Sequence, residues 1–413
     1  MKLTQILLKQ HAIRWFQRHW HVQGKRKVPQ TYDFKVLKRH NIPVQDALEV
    51  ATLDGPKKER YEIVGVDDLP IPFDENHPLY HEQPLMTFKD SNVLVEGVEQ
   101  AKVLTKTVEV KEGLPSEIES LIGKKSIPDQ HTFVERIILS SLTFDLKQRK
   151  LLSRRDPKRP MFKFPPVYGI SDRRRNLLLC NRLLQLSENI FGGEVANHRR
   201  LLTDAPFCVP FKVDDKNVQF EITSELALTS TSRLPQLVEA PHGATLPNIF
   251  PLKPTISMPE EQFYEMKNVF PLKPSPDQQF IHTAILHFNA ISETKNLYDT
   301  PVNDSQFLSR ALVKSFAIAA AQARFIYGVS IEDVEDLPEP VVIQTIQTDS
   351  TNFHFSVFQL NTLNINSDSN VRNVWWSDPI IRLFSEAGFV DAIPAFEFLY
   401  AHMTECSAHP TVH

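Results

Sequence analysis

Between residues 304 and 328 the chain reads DSQFLSRALVKSFAIAAAQARFIYG, and this stretch limits the possible folds more than any other. From Ala311 to Tyr327 only Lys314, Ser315, Gln322 and Arg324 are clearly polar. A helix that is apolar on nearly every side has to be covered on nearly every side, so it belongs inside a folded body. Ala317, Ala319, Ala320 and Ala321 allow neighbouring backbones to come close. Asp304 or Ser305 is placed to cap the helix, and Gly328 to end it.

After an acidic, Pro-broken turn comes VVIQTIQTDSTNFHFSVFQLNTLN. Two β-branched and aromatic runs flank the polar tetrad Asp349-Ser350-Thr351-Asn352, which is the pattern of a β-hairpin. Phe353, Phe355 and Val357 face one way, whereas Phe358 and Leu360 take the other. Such a change of phase implies either a bulge or a strand buried on both faces. One face is expected to pack on the Ala-rich helix. With further short helices expected at 379–387 and 394–403, the fold class is α+β: a mixed or antiparallel sheet with packed helices. Thirty Pro against twelve Gly adds long, stiff, extended segments.

The charge is unevenly spread. Residues 1–32 carry seven Lys/Arg and no acid, with Leu3, Ile6, Leu7, Ile13, Phe16 and Trp20 at roughly helical spacing. A basic, acid-free amphipathic start is the signature of a mitochondrial presequence, read here over 1–28. Ser is absent and Lys9 interrupts the apolar stripe, so a retained basic arm is the alternative. Residues 29–90 read as an extended N-terminal arm. The α+β body then covers 91–413, with a basic segment at 145–200 and a helix-hairpin core at 304–365. Within the body, 92–107 reads as an amphipathic helix opened by Ser91 or Asn92, and 115–122 as a short helix. The stretch 133–145 reads as helix or strand, 171–190 as a helix and 280–289 as a strand, while Val218, Phe220 and Ile222 mark a short strand. NIFPLKP at 248–254 and NVFPLKP at 268–274 are near copies; they read either as two similar docking strands or as a chance likeness.

Catalytic signatures are missing. There is no GxGxxG, and Gly123-Lys124-Lys125-Ser126 lacks the upstream Gly that a phosphate loop needs. His77 and His81 are four apart, but Pro78 and Pro84 oppose the helix that would make them metal ligands. Cys180, Cys208 and Cys406 are distant and odd in number, which disfavours a disulfide framework. No uninterrupted apolar run is long enough to span a bilayer. No catalytic residue, metal ligand, cofactor or small-molecule substrate is therefore assigned.

The basic segment carries fourteen Lys/Arg against five Asp/Glu over 145–200. Arg173, Arg174 and Arg175 fall in the first turn of the 171–190 helix, where cations oppose the macrodipole. An external anion would reconcile them with that position. Together with Arg149, Lys150, Arg154, Arg155, Lys158, Arg159 and Lys163 they form a candidate contact with an RNA backbone. The alternative is a solvated basic linker. Phe162, Phe164 and Tyr168 are the only aromatic side chains close by, which gives little ground for base stacking.

HPLY at 77–80, LVEGVEQAKVLTKT at 94–107 and EGLP at 112–115 precede AAAQARFIYG at 319–328 and EPVVIQTIQTDSTNFHFSVFQLNTL at 339–363. In this order they resemble landmarks of the mitochondrial large-subunit ribosomal protein thirty-seven family. The paralogous mitochondrial ribosomal protein once called small-subunit protein thirty is similar in the helix-plus-hairpin region. The resemblance implies a non-catalytic component of the mitochondrial large ribosomal subunit, located in the matrix. It also implies contacts with large-subunit ribosomal RNA and with neighbouring ribosomal proteins, that paralogue included. Residues 145–200 match the family poorly, so RNA contacts there rest on charge alone. A soluble RNA-binding or ribosome-assembly factor, or a matrix enzyme with scattered active-site residues, are the alternatives.

Overall fold

A computed structural model describes residues 32–45 and 83–383, the latter without 111–112, 123–126, 144, 152–157, 160, 163, 166, 192–196, 214–215, 264–265, 275–278, 289–295, 297–299, 329–335 and 367–368. The chain divides into two units, Met1–Pro72 and Phe73–His413. In the first, the described residues hold helix α1 (Tyr32–Arg39), where an extended arm was expected. Asp33 in its first turn and Lys38 and Arg39 in its last suit the helix dipole, a local signal that an overall Pro-rich composition obscures. The expected presequence and the 394–403 helix lie outside the described residues, as do His77 and His81.

The second unit is built on a mixed sheet. Its strands are β1 (Gln83–Lys89), β2 (Thr107–Val110), β5 (Arg199–Val213), β6 (Lys216–Ser230), β7 (Glu260–Phe263), β8 (Phe280–His287), β9 (Val341–Thr348), β10 (Asn352–Leu360), β11 (Asn373–Ser377) and β12 (Ile381–Arg382). The order runs β2-β11-β10-β9-β8-β6-β1-β7, with β5 on β6 and β12 on β10. The pairs β1/β6, β8/β9 and β2/β11 are parallel and the others antiparallel. β3 (Arg149–Lys150) and β4 (Tyr168–Gly169) form a separate two-stranded ribbon.

Helices cover both faces of the sheet. On one lie α2 (Val98–Thr105) and the long α6 (Asp304–Tyr327), with Phe316, Leu312 and Ala320 against Phe211, Phe220, Phe358 and Trp375. On the other, α3 (Ser116–Glu119), α4 (Gln130–Thr143) and α5 (Asp172–Phe191) pack Ile118, Val134, Ile138, Leu179 and Leu183 against Phe353, Phe355, Val357 and Trp376. This is the α+β architecture expected. The hairpin falls where the tetrad predicts it. Asp349 Oδ1 accepts the N–H groups of Thr351 and Asn352 at 2.8 and 2.6 Å, and Ser350 sits at φ +79°. The β9/β10 register is unbroken from Phe353–Thr348 to Leu360–Val341, so there is no bulge. The phase change records alternation in a strand whose two faces are both buried.

Each polar residue between Ala311 and Tyr327 holds α6 in place. Lys314 Nζ lies 2.5 Å from Asp90 Oδ1, and donates to the Thr223 carbonyl at 3.2 Å. Ser315 meets Thr345 at 3.0 Å. Gln322 Oε1 accepts the Ile281 N–H at 2.6 Å, beside the register shift of β6/β8. Arg324 donates to the Pro210 carbonyl and lies over the Phe211 ring at 4.6 Å. The four polar side chains of the otherwise apolar 311–327 stretch thus address different strands and fix the rotation of α6. Its cap is Asn303, one residue before the expected Asp304: Gln306 N–H donates to Asn303 Oδ1 at 2.8 Å in a reciprocal capping box. Gly328 ends it at φ +91°.

α2 begins later than Ser91 or Asn92 suggest, because Asn92 Oδ1 is used to accept the Lys89 N–H at the end of β1. The α2 start is capped from outside its own segment, with Val98 N–H donating to Ser305 Oγ at 3.1 Å. Gly97, at φ +59°, is required there, since a Cβ would fall within 3 Å of Ser305. α5 buries Leu179, Cys180, Leu183 and Leu184, and Leu177, Leu178 and Ile190 lie half-buried at the flanks. Over 379–383, the described part of the helix expected at 379–387, β12 instead pairs Ile381 with Phe353, and Leu383 N–H donates to the Thr351 carbonyl at 2.7 Å. Pairing with β10 wins there over local helical spacing. The expected short strand around Phe220 is the middle of the fifteen-residue β6.

The two near copies do not share a structure. At 268–274, Val269 exchanges backbone hydrogen bonds with Cys208 of β5 at 3.0 and 2.8 Å. Phe270 then stacks on Phe325, with centroids 4.6 Å apart. At 248–254 the chain turns instead: Leu252 N–H donates to the Ile249 carbonyl at 2.8 Å, and Phe250 is 86% exposed.

Candidate nucleic-acid interface

α5 starts at Asp172, and Ser171 accepts the Arg175 N–H at 2.9 Å. The three arginines of its first turn each have a carboxylate. Arg173 Nη2 is 2.5 Å from Asp204 Oδ1 in β5. Arg174 forms a two-pronged contact with Asp145, Nε to Oδ2 at 2.9 Å and Nη2 to Oδ1 at 3.4 Å. Arg175 Nη1 lies 3.5 Å from Asp172 Oδ1. The hydrogen bond from Arg174 holds the Asp145 carboxyl below the usual aspartate range and raises the Arg174 guanidinium in return. The cations that oppose the helix dipole are thus compensated from within, and Arg174 ties the chain just past α4 to the start of α5. Arg173 and Arg175 keep substantial exposure.

Arg173 also lines a cleft of about 400 Å³ with Lys89, Asp90, Ser91, Glu221, Thr223 and Glu225, at the end of β1. Three carboxylates face two cations there, so the cleft is a poor trap for phosphate. The two thiols among the described residues offer no nucleophile: burial pushes Cys180 up to about 12 and Cys208 up to about 11, and both stay protonated.

The stretch between α4 and α5 presents a different surface. β3 and β4 set Arg149 opposite Gly169 and Lys150 opposite Tyr168, and Leu151 N–H extends the ladder to the Val167 carbonyl at 2.8 Å. Directly opposed residues share a face, so Lys150 and Tyr168 emerge together on one side. Arg149 and Leu151 take the other, where Leu151 covers the space a Cβ at Gly169 would need. Lys147, Arg149, Lys150, Lys158 and Arg159 are all exposed. Arg154, Arg155 and Lys163 lie outside the described residues.

The ribbon also carries apolar side chains that the body does not cover. Leu146 is 88% exposed, Met161 92%, Tyr168 64% and Phe162 54%. Phe162 and Phe164 meet edge to face at 4.8 Å. Phe133 and Leu139 on α4 continue the exposed apolar surface in sequence. The sequence located the charge, but it gave these aromatic residues too little weight, because exposure is a property of the ribbon's emergence and not of local composition.

A family profile described as Mitochondrial 28S ribosomal protein S30 (PDCD9) matches residues 197–391, from β5 through the last described strand. Curated relatives cover more of the chain. The Large ribosomal subunit protein mL37 of Rattus norvegicus is 31% identical over 73% of this chain and 66% of its own length. The protein of that name from Mus musculus is 30% identical over the same shares, and that from Gallus gallus is 25% identical over 78% and 71%. The matched part thus spans just under two thirds of the rodent relatives. The family profile stops short of the basic ribbon and the start of α5.

Proposed function

We propose that the chain, which is similar to the mL37 proteins of the large ribosomal subunit, is a structural constituent of the mitochondrial large ribosomal subunit, working in the mitochondrial matrix. One observation carries this reading: the matched residues 197–391 hold most of the sheet together with the buried α6, so the likeness falls on the part that makes the fold. A body whose sheet is covered on both faces can serve as a rigid block against which neighbours pack.

On this reading the protein supports translation by position and not by chemistry. Neighbouring ribosomal proteins, the paralogue among them, pack on the body. The ribosomal RNA meets Arg149, Lys150, Arg154, Arg155, Lys158, Arg159 and Lys163, with Arg173 and Arg175 at the margin and Arg174 holding the base of the ribbon against Asp145. Exposed cations on a projecting ribbon suit phosphates, which act without sequence preference.

Sedimentation of a mitochondrial lysate through a sucrose gradient tests the proposal. The protein is expected to track with large subunits and to remain with them in 0.5 M salt, on the order of what protein-mediated docking withstands and phosphate contacts alone do not. A protein that stays at the top of the gradient removes the ribosomal reading and favours a soluble assembly factor.

A further inference from the structure

The ribbon brings together two features whose combination neither a solvated linker nor a pure phosphate contact requires. Among the described residues of 146–168, five exposed cations from Lys147 to Arg159 are flanked by five exposed large apolar side chains, Leu146 on one side and Met161, Phe162, Val167 and Tyr168 on the other. Large apolar groups left in water at this density mark a surface that something else covers. An acidic protein surface would satisfy the cations but leaves the rings without a partner of matching shape. Duplex RNA offers phosphates but keeps its base faces stacked within the helix. Unpaired RNA offers both, a charged backbone and free aromatic faces.

We propose that the β3–β4 ribbon receives a short run of unpaired nucleotides. Tyr168 and Phe162 stack on successive bases, while Lys150, Arg149, Lys158 and Arg159 neutralise the flanking phosphates. The pairing of Lys150 with Tyr168 across the ladder supplies one such unit, an ammonium beside the ring on the same face. The edge-to-face contact of Phe164 holds the Phe162 ring from behind and leaves its remaining surface open. This inference rests on the RNA contact proposed above and specifies the state of the RNA.

Binding of the purified full-length chain to fluorescein-labelled RNA, followed by anisotropy at 150 mM salt, tests it. The probes are 12-nucleotide polyuridine, 12-nucleotide polyadenosine and a 12-base-pair RNA duplex. Both single strands are expected to bind at least about tenfold more tightly than the duplex. Tyr168→Leu is expected to lose roughly tenfold on single strands and little on the duplex, while Tyr168→Phe keeps single-strand affinity. Replacing Arg149 and Lys150 with Ala is expected to lower the salt slope by about 1.4, and Tyr168→Leu to leave it unchanged. The exposure of Tyr168 allows both of its variants to fold, which a thermal melt verifies. Equal affinity for single strand and duplex, with no effect of Tyr168→Leu, overturns stacking while phosphate contact stands. Failure of all three RNAs to bind, by a chain that still tracks with large subunits in a gradient, overturns the RNA occupant itself and makes the ribbon a protein-facing surface.

Discussion

The Lys314–Asp90 pair predicts an asymmetry that can be measured. Lys314 is wholly buried in the middle of α6, whereas 37% of the Asp90 side chain is exposed. Removing the carboxylate with Asp90→Ala strands an ammonium in a dry interior with only the Thr223 carbonyl at 3.2 Å. Breaking a buried pair from that side costs about 3–5 kcal/mol. Removing the cation with Lys314→Met fills similar volume with apolar atoms and leaves a carboxylate whose Oδ1 is buried but whose side chain as a whole is 37% exposed. Asp90 Oδ2 also keeps the Thr223 N–H at 3.0 Å. That substitution is expected to cost less than about 1.5 kcal/mol. The double variant then loses the Asp90–Thr223 bond, about 1 kcal/mol, beyond what Lys314→Met costs alone. The two changes should therefore couple by about 2–4 kcal/mol. Urea unfolding followed by the fluorescence of buried Trp375 and Trp376, with the m-value compared among variants, measures all three. If Asp90→Ala costs no more than Lys314→Met, or the two costs simply add, the reasoning from burial is wrong.

Substitutions at two other positions test smaller devices. Asp378 has its carboxyl pushed up to about 6, first by burial and then by the nearby Glu119. Because the folded state binds this proton more tightly than the unfolded chain does, the aspartate loses stability as pH rises from about 4 to about 6. Asp378→Asn should raise the stability at pH 7.5 by on the order of 1–2 kcal/mol, allowing for solvent at a half-buried site, and change little at pH 4, as thermal melts would register. Asn303→Ala removes the capping box of α6 and should cost about 1–2 kcal/mol in chemical unfolding, whereas Asn303→Ser should stay within about 0.5 kcal/mol of the parent.

What could be read in the sequence was whatever a single element states by itself. The apolar run of α6 and the two arms of the hairpin announce themselves, because burial on all sides leaves few polar residues to confuse the period. β5 was illegible for the opposite reason: Pro206 and Pro210 argue against a central strand, and β5 in fact lies off the main strand path, paired along its length with β6 and bridged on its other edge at Cys208 by Val269. The candidate interface divides in the same way. Charge over 145–200 is a sum over local residues and was visible. The carboxylates that meet Arg174 and Arg173 come from 29 and 31 residues away, and no local pattern carries that distance. The cap of α2 by Ser305 is longer still, spanning 207 residues.

The twin heptapeptides carry a consequence for how this chain tolerates change. At Phe270 the ring is wedged against Phe325 and Phe207, so every substitution there is judged by shape. At Phe250, in the same written context, the ring stands in solvent and is judged only by what it meets outside. Identical letters have thus come under two different jurisdictions. A mutational scan across both copies should yield a tolerance profile for the second that resembles a core and for the first that resembles a coast.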